Sequence, residues 1–186
     1  MASVEEMING YFKATVDAVA ALFEKQLYGH VLIVIYSTID TVGLLNAPPG
    51  QVNASGTSFK NWVKKYMTDD PAIEFNELDL WGARCAVLHT FTSESDLSRA
   101  GRVRQLQYYS GDKEAIHNRH FVAFTNSHEG GAHLAVHFGD LCGAFFAALR
   151  KFVYELDANC TRDETYLDRM RKVMQVHPNP VGQNAD

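Results

Sequence analysis

The sequence predicts an all-α fold: an up-and-down helical bundle of five to six helices with a small inserted β-hairpin. Three observations carry this expectation. Between Ser3 and Tyr28 the apolar residues Ile8, Phe12, Val16, Val19, Phe23 and Leu27 recur every three or four positions, the spacing of one helix face. Around Trp81-Gly-Ala-Arg-Cys-Ala-Val-Leu-His-Thr90 the chain is apolar almost all the way round a helix, as a helix enclosed on more than one side must be. Near the C-terminus, Phe138, Leu141, Cys142, Phe145, Leu149, Phe152 and Leu156 form one long stripe. A chain of 186 residues, 46% hydrophobic and 21% charged, is large enough for one soluble domain with a real core. That domain is placed at residues 1–176, with an insert at about 99–126 and a flexible tail at 177–186.

In chain order, the first amphipathic helix stops at Gly29-His30. Val31 to Leu45 follows as a buried helix, its β-branched start outweighed by its length, with Asp40 as its only charge. Ala47 to Gly56 is a loop by composition. Thr57 or Ser58 caps a third helix whose apolar face is Phe59, Trp62, Val63, Tyr66 and Met67, ended by Asp69-Asp70-Pro71. Asn76 caps the central helix, with Glu77 and Asp79 in the first turn, where the dipole favours acids. Arg102–Tyr109 and His120–Thr125 read as two strands of a hairpin joined by Ser110-Gly111-Asp112. Gly130-Gly131 leads into a long helix from about Ala132 to Asp157, and Thr161-Arg-Asp-Glu164 is a capping box for a last helix to about Gln175.

The central helix is the first place to look for function. Arg84 and His89 are costly in apolar surroundings unless each has a partner. They lie five positions apart, about 140° around the axis, so they are not expected to stack, whereas Cys85 and His89 are i, i+4 neighbours. Asp40 is the candidate counter-ion for Arg84. The apolar residues flanking His89 call for a second covering surface, another helix or another subunit.

Arg84-x4-His89 late in a bundle helix, after two long N-terminal helices, resembles the R-x(4–6)-H motif of the HEPN superfamily. The run from Leu80 to Ser95 is similar to bacterial HEPN proteins with Arg-Cys at this point. The resemblance covers the helical portions and leaves the 99–126 insert outside it. It implies a metal-independent endoribonuclease or RNA-binding protein, with no cofactor and with the active site at a homodimer interface. It also implies a toxin or phage-defence role, with an antitoxin protein as a further partner. Arg84 would hold the scissile phosphate and His89 would move protons, with Cys85 and Asp40 in support. Family members that cleave RNA usually carry Asn, Asp or His after the arginine; Cys85 is a weaker hydrogen-bonding group. The other reading is a non-catalytic HEPN-like dimer in which Arg84 and His89 are structural.

Elsewhere, residues 99–120 hold five Lys/Arg and two acids. Arg99, Arg102, Arg104 and Arg119, with Tyr108 as a stacking ring, are therefore the RNA-contact candidates, against a plain solvated hairpin. The net charge of −5 excludes a global electrostatic drive towards nucleic acid. His128, Glu129, His133 and His137 lie close in sequence, with His117, His120 or Cys142 as further ligands. His133-x3-His137 has helical ligand spacing but lacks the glutamate of the metalloprotease motif, so the expectation is no metal. Three cysteines without a C-x-x-C pair, no basic-then-apolar leader and no apolar run of ~18 residues give the expectation of a cytoplasmic, non-membrane protein.

Overall fold

A computed structural model of the chain describes residues 3–68 and 73–173. The expected tail at 177–186 and the expected end of the last helix at Gln175 lie outside the described residues. Among those described, the fold is mostly helical, with eight α-helices and one small two-stranded sheet.

Helix α1 (Val4–Glu24) starts on a capping box, in which the Ser3 hydroxyl accepts from Glu6 N and Glu6 accepts from Ser3 N. Its stripe buries Ile8, Phe12 and Val19, while Val16, Phe23 and Leu27 stay partly exposed. Helix α2 (Tyr28–Leu45) is the buried centre of the bundle: Val31, Ile35, Tyr36, Ile39 and Val42 have no exposed surface. It packs against α1 and three helices that follow: α3 (Gly56–Tyr66), α4 (Glu77–Thr90) and α8 (Glu164–Arg171). By length and composition α2 is apolar enough to cross a membrane; in this fold half of that window is buried by its neighbours. Where α2 meets the start of α3, Gly43 is required: a Cβ there would sit 2.9 Å from the Ser58 carbonyl oxygen. Gly43→Ala is expected to cost about 1–3 kcal/mol in a urea melt, because backbone rather than a side-chain tip must move.

Helix α3 buries the expected face of Phe59, Trp62, Val63 and Tyr66, but its cap is Ser55 rather than Thr57 or Ser58, which fall inside the first turn. Helix α4 is capped by Asn76 as expected, its Oδ1 accepting from Leu78 N and Asp79 N. A single turn, α5 (Asp96–Arg99), follows. The segment beyond it lies close on α4 because Gly82 has no Cβ; one would meet Val103 Cγ2 at 2.5 Å.

The expected hairpin is replaced by a strand–helix–strand crossover. Strand β1 (Gln105–Tyr109) pairs in parallel with β2 (His133–His137), Gln105 opposite His133 and Tyr109 opposite His137. Between them runs α6 (Ile116–Ser127), which contains the stretch His120–Thr125 read as a strand. Its inner positions, Asn118, Phe121, Val122 and Thr125, have helical spacing, but the buried ends are polar and hide the stripe. Strand β2 alternates, with Leu134 and Val136 buried, and runs without a loop into α7 (Phe138–Arg162). The long helix therefore begins at Phe138 rather than Ala132, and its predicted Phe-rich stripe is buried. Thr161 lies inside α7 and caps nothing; Asp163 caps α8 by accepting from Thr165 N. Arg169 on α8 then donates to the carbonyls of Ala47, Pro48 and Gln51, which fixes the loop after α2.

Candidate functional site

The site residues come from the middle of α2 and the second half of α4. Asp40 and Arg84 form an ion pair, with Arg84 Nε 3.0 Å and Nη2 2.6 Å from Asp40 Oδ2. Their side chains are only 18% and 20% exposed. The expected counter-ion is thus in place. The guanidinium also lies over the Trp81 ring, 5.1 Å from its centroid, a favourable cation–π position.

Arg84 and His89 are not expected to stack, since their Cα positions diverge around the helix. The structure brings them together: Arg84 Nη1 is 3.1 Å from His89 Nε2. The long arginine side chain spans what the backbone angle separates. A guanidinium has donors only, so in this contact Nε2 accepts and the ring proton sits on Nδ1. All three nitrogens of Arg84 are engaged by Asp40 and His89, and the guanidinium also acts on the neighbouring Cys85 thiol.

His89 is exposed, at the mouth of a shallow cleft of about 450 Å³ lined by His30, Ile33, Val87, Leu88, His89, Thr90 and Phe91. Phe91 is 57% exposed, holds the left-handed C-cap of α4 at φ 55°, and packs its ring on Gly29 and His30. With Ile33 also partly exposed, the rim beside His89 is apolar and is left open by the other described residues. Among the described residues, no element of the same protomer supplies the expected covering surface on this side of His89. Asp40 faces a different, larger cleft of about 730 Å³ between α2 and α8.

Cys85 is half-buried and makes no hydrogen bond to His89 among the described residues. Burial raises its thiol above the ordinary value, against the lowering effect of Arg84, so it is held as the neutral thiol. The thiol of Cys142, on the buried face of α7, is pushed up to about 11 by burial alone. The three cysteines are free, and none is placed as a nucleophile.

The basic insert is largely neutralised. Arg99 pairs with Glu94 and Asp96, Arg104 with Asp79, and Lys113 with Asp140. Only Arg102 and Arg119 of the five form no ion pair among the described residues. Tyr108 is not a stacking platform: its hydroxyl bonds that of Tyr36 and its ring packs on Phe138 in the core. The strand periodicity points Leu106 and Tyr108 to the same side of the sheet, and that signal was readable in the sequence.

His133 and His137 lie on a strand, not a helix. Four residues of strand separate them by ~13 Å, too far to share an ion. His137 Nε2 instead donates to the Gly111 carbonyl at 3.0 Å. The sequence missed Asp79, the most enclosed acid of the site's helix, which receives Arg104. It was read only as a favourable first-turn charge, and a burial position four residues ahead of the core residue Ala83 was the available clue. Compared with protein-family models, with curated proteins and with solved structures, the chain matches none.

Proposed function

We propose that the protein is a HEPN-like, dimeric RNA-directed protein that cleaves RNA without a metal at the Arg84–His89 pair. The observation that carries this reading is the contact between Arg84 Nη1 and His89 Nε2, anchored by Asp40 at an open cleft. The mostly helical fold, in which α2 and α4 pack on each other, supports this reading. In the proposed reaction Arg84 Nη1 leaves His89 Nε2 and donates to a phosphate oxygen of the substrate. His89 Nε2 then accepts the proton of a ribose 2′-OH as that oxygen attacks the adjacent phosphorus. The P–O5′ bond breaks, a 2′,3′-cyclic phosphate forms, and the 5′-oxygen takes a proton from His89 of the partner subunit.

One protomer carries one His89, so acid and base together require two copies. The exposed apolar rim of Ile33 and Phe91 is the surface on which the second copy would sit. A toxin or phage-defence role, with a protein antitoxin, belongs to the same proposal. The second reading, a non-catalytic dimer, is favoured by one observation: Asp40 neutralises the arginine, and Cys85 offers the histidine no orienting group.

The test is cleavage of a mixed RNA pool in EDTA by the wild type and His89→Ala. Because His89 is exposed, the variant is expected to fold like the parent. Loss of a general acid–base group predicts a rate ~10²- to 10⁴-fold lower. Equal cleavage by the two, or none by a dimeric wild type, would remove the nuclease reading and leave the binding protein.

A further inference from the structure

The turn between α6 and β2 gathers three metal-ligating side chains that the Arg84 site does not use. His128, Glu129 and His133 each offer one ligand atom, and these atoms all lie within 4.8 Å of one another. The Glu129 carboxylate reaches both rings: Oε1 is 3.7 Å from His128 Nε2, and Oε2 is 3.5 Å from His133 Nε2. The two imidazole centroids are 4.8 Å apart. Ligands held at ~2.0–2.1 Å by a tetrahedral Zn²⁺ stand ~3.3–3.4 Å from one another. The cluster therefore needs only small side-chain rotations to close on one ion. None of the three side chains is engaged in a hydrogen bond among the described residues, and 3.5–3.7 Å is too long for one.

The backbone and neighbours hold this grouping in place. His133 opens β2 and its side chain is 14% exposed, so its position is set by the sheet. The His128 ring stacks on Phe124 at 5.3 Å and 30°. Glu129, Gly130 and Gly131 follow one another in the left-handed region, at φ 47°, 68° and 90°, which curls the chain back so that residue 133 faces residue 128. Glutamate has no intrinsic preference for that conformation.

We infer that His128, Glu129 and His133 form a binding site for a borderline divalent cation of the Zn²⁺ class. Two imidazole nitrogens disfavour the hard cations Mg²⁺ and Ca²⁺, which take oxygen ligands. Two nitrogens and one carboxylate are a three-ligand set that leaves a position for water, and the exposure of Glu129 keeps that position open to solvent. The bound ion fastens the end of α6 to the start of β2 and so closes the crossover. The proposed site departs from the metal-free expectation and replaces the His133–His137 pairing with a set that excludes His137.

The probe is Co²⁺, then Zn²⁺, titrated into untagged, EDTA-treated full-length protein. One equivalent of Co²⁺ is expected to give a visible d–d band that Zn²⁺ abolishes, and excess Zn²⁺ to raise Tm by about 5 °C. His128→Ala and Glu129→Ala, both at exposed positions, are each expected to weaken binding at least ~10-fold. His120→Ala, within α6 and outside the cluster, is expected to bind like the parent. No saturable band, or a band of equal affinity in His128→Ala and Glu129→Ala, overturns the assignment. The readout is binding, so its failure leaves the RNA reading standing, and cleavage in EDTA leaves this site untouched.

Discussion

Asp79→Ala is expected to remove about 3–5 kcal/mol of stability, a large part of what a domain of this size has. The carboxylate is 3% exposed and takes four donors. Arg104 Nε and Nη2 approach Oδ2 at 3.1 and 2.5 Å, Arg104 N approaches Oδ1 at 3.0 Å, and Asn76 N approaches Oδ2 at 3.1 Å. One side chain thus closes the capping box of α4 and clamps the residue that leads into β1. Alanine leaves all four donors without it. The converse variant is expected to be worse: Arg104→Ala strands a buried carboxylate, whereas Asp79→Ala leaves an arginine that is 34% exposed and turns to water. Urea melts of the two variants give the order, and hydrogen exchange in β1 shows where the fold loosens. Equal midpoints for wild type and Asp79→Ala would defeat the claim. Salt should change neither result much, since an enclosed pair is weakly screened.

The contrast between what was legible and what was not follows from how burial is written in a sequence. Helices α1, α3, α4 and the body of α7 announce themselves because each buries apolar residues at helical spacing. Helix α6 buries Asn118, whose amide donates to the Ser110 and Asp112 carbonyls, so a polar residue stands where the period needs an apolar one. Its visible residues, Phe121, Val122 and Phe124, then look like a strand. Strand β2 is hidden for the opposite reason: five alternating residues merge with the helix that starts at the next position. Two such errors together turned a parallel crossover into a hairpin. A parallel pair needs a connection of a dozen or more residues, and β1 to β2 supplies it only if α6 is a helix.

At the site, residue type was readable and geometry was not. An arginine and an acid alone on two apolar helices had to find each other, and Arg84 and Asp40 do. The His89 contact was missed because angle around a helix axis describes Cα positions, while an arginine side chain is long enough to cross that gap. The basic insert failed as a patch because sequence counts charges without their partners. Asp79 and Asp140 lie 25 and 27 positions from Arg104 and Lys113, and Glu94 and Asp96 fall just before the stretch whose charges were counted.

Arg84 separates the two functional readings because its structural and chemical roles respond to different substitutions. Arg84→Ala leaves Asp40 without its partner, yet Asp40 borders the cleft between α2 and α8 and gains water there. The expected loss is about 2 kcal/mol, less than at Asp79. Asp40→Ala should cost a similar amount, and the double variant less than the sum, with a coupling of about 1–3 kcal/mol. Both readings share these values, since both need the ion pair. Cleavage divides them. A guanidinium that stabilises charge on the phosphate has no equal in a lysine, whose ammonium keeps the charge but loses the fork. Arg84→Lys is therefore expected to cut RNA ~10²- to 10³-fold more slowly, in kcat more than in KM, while remaining folded. Asp40→Ala keeps the guanidinium and loses only its anchor, so its rate should fall less than that of Arg84→Lys. If the two rates instead follow the two stabilities, Arg84 is a packing residue, and the contact with His89 is a by-product of holding α4 against α2.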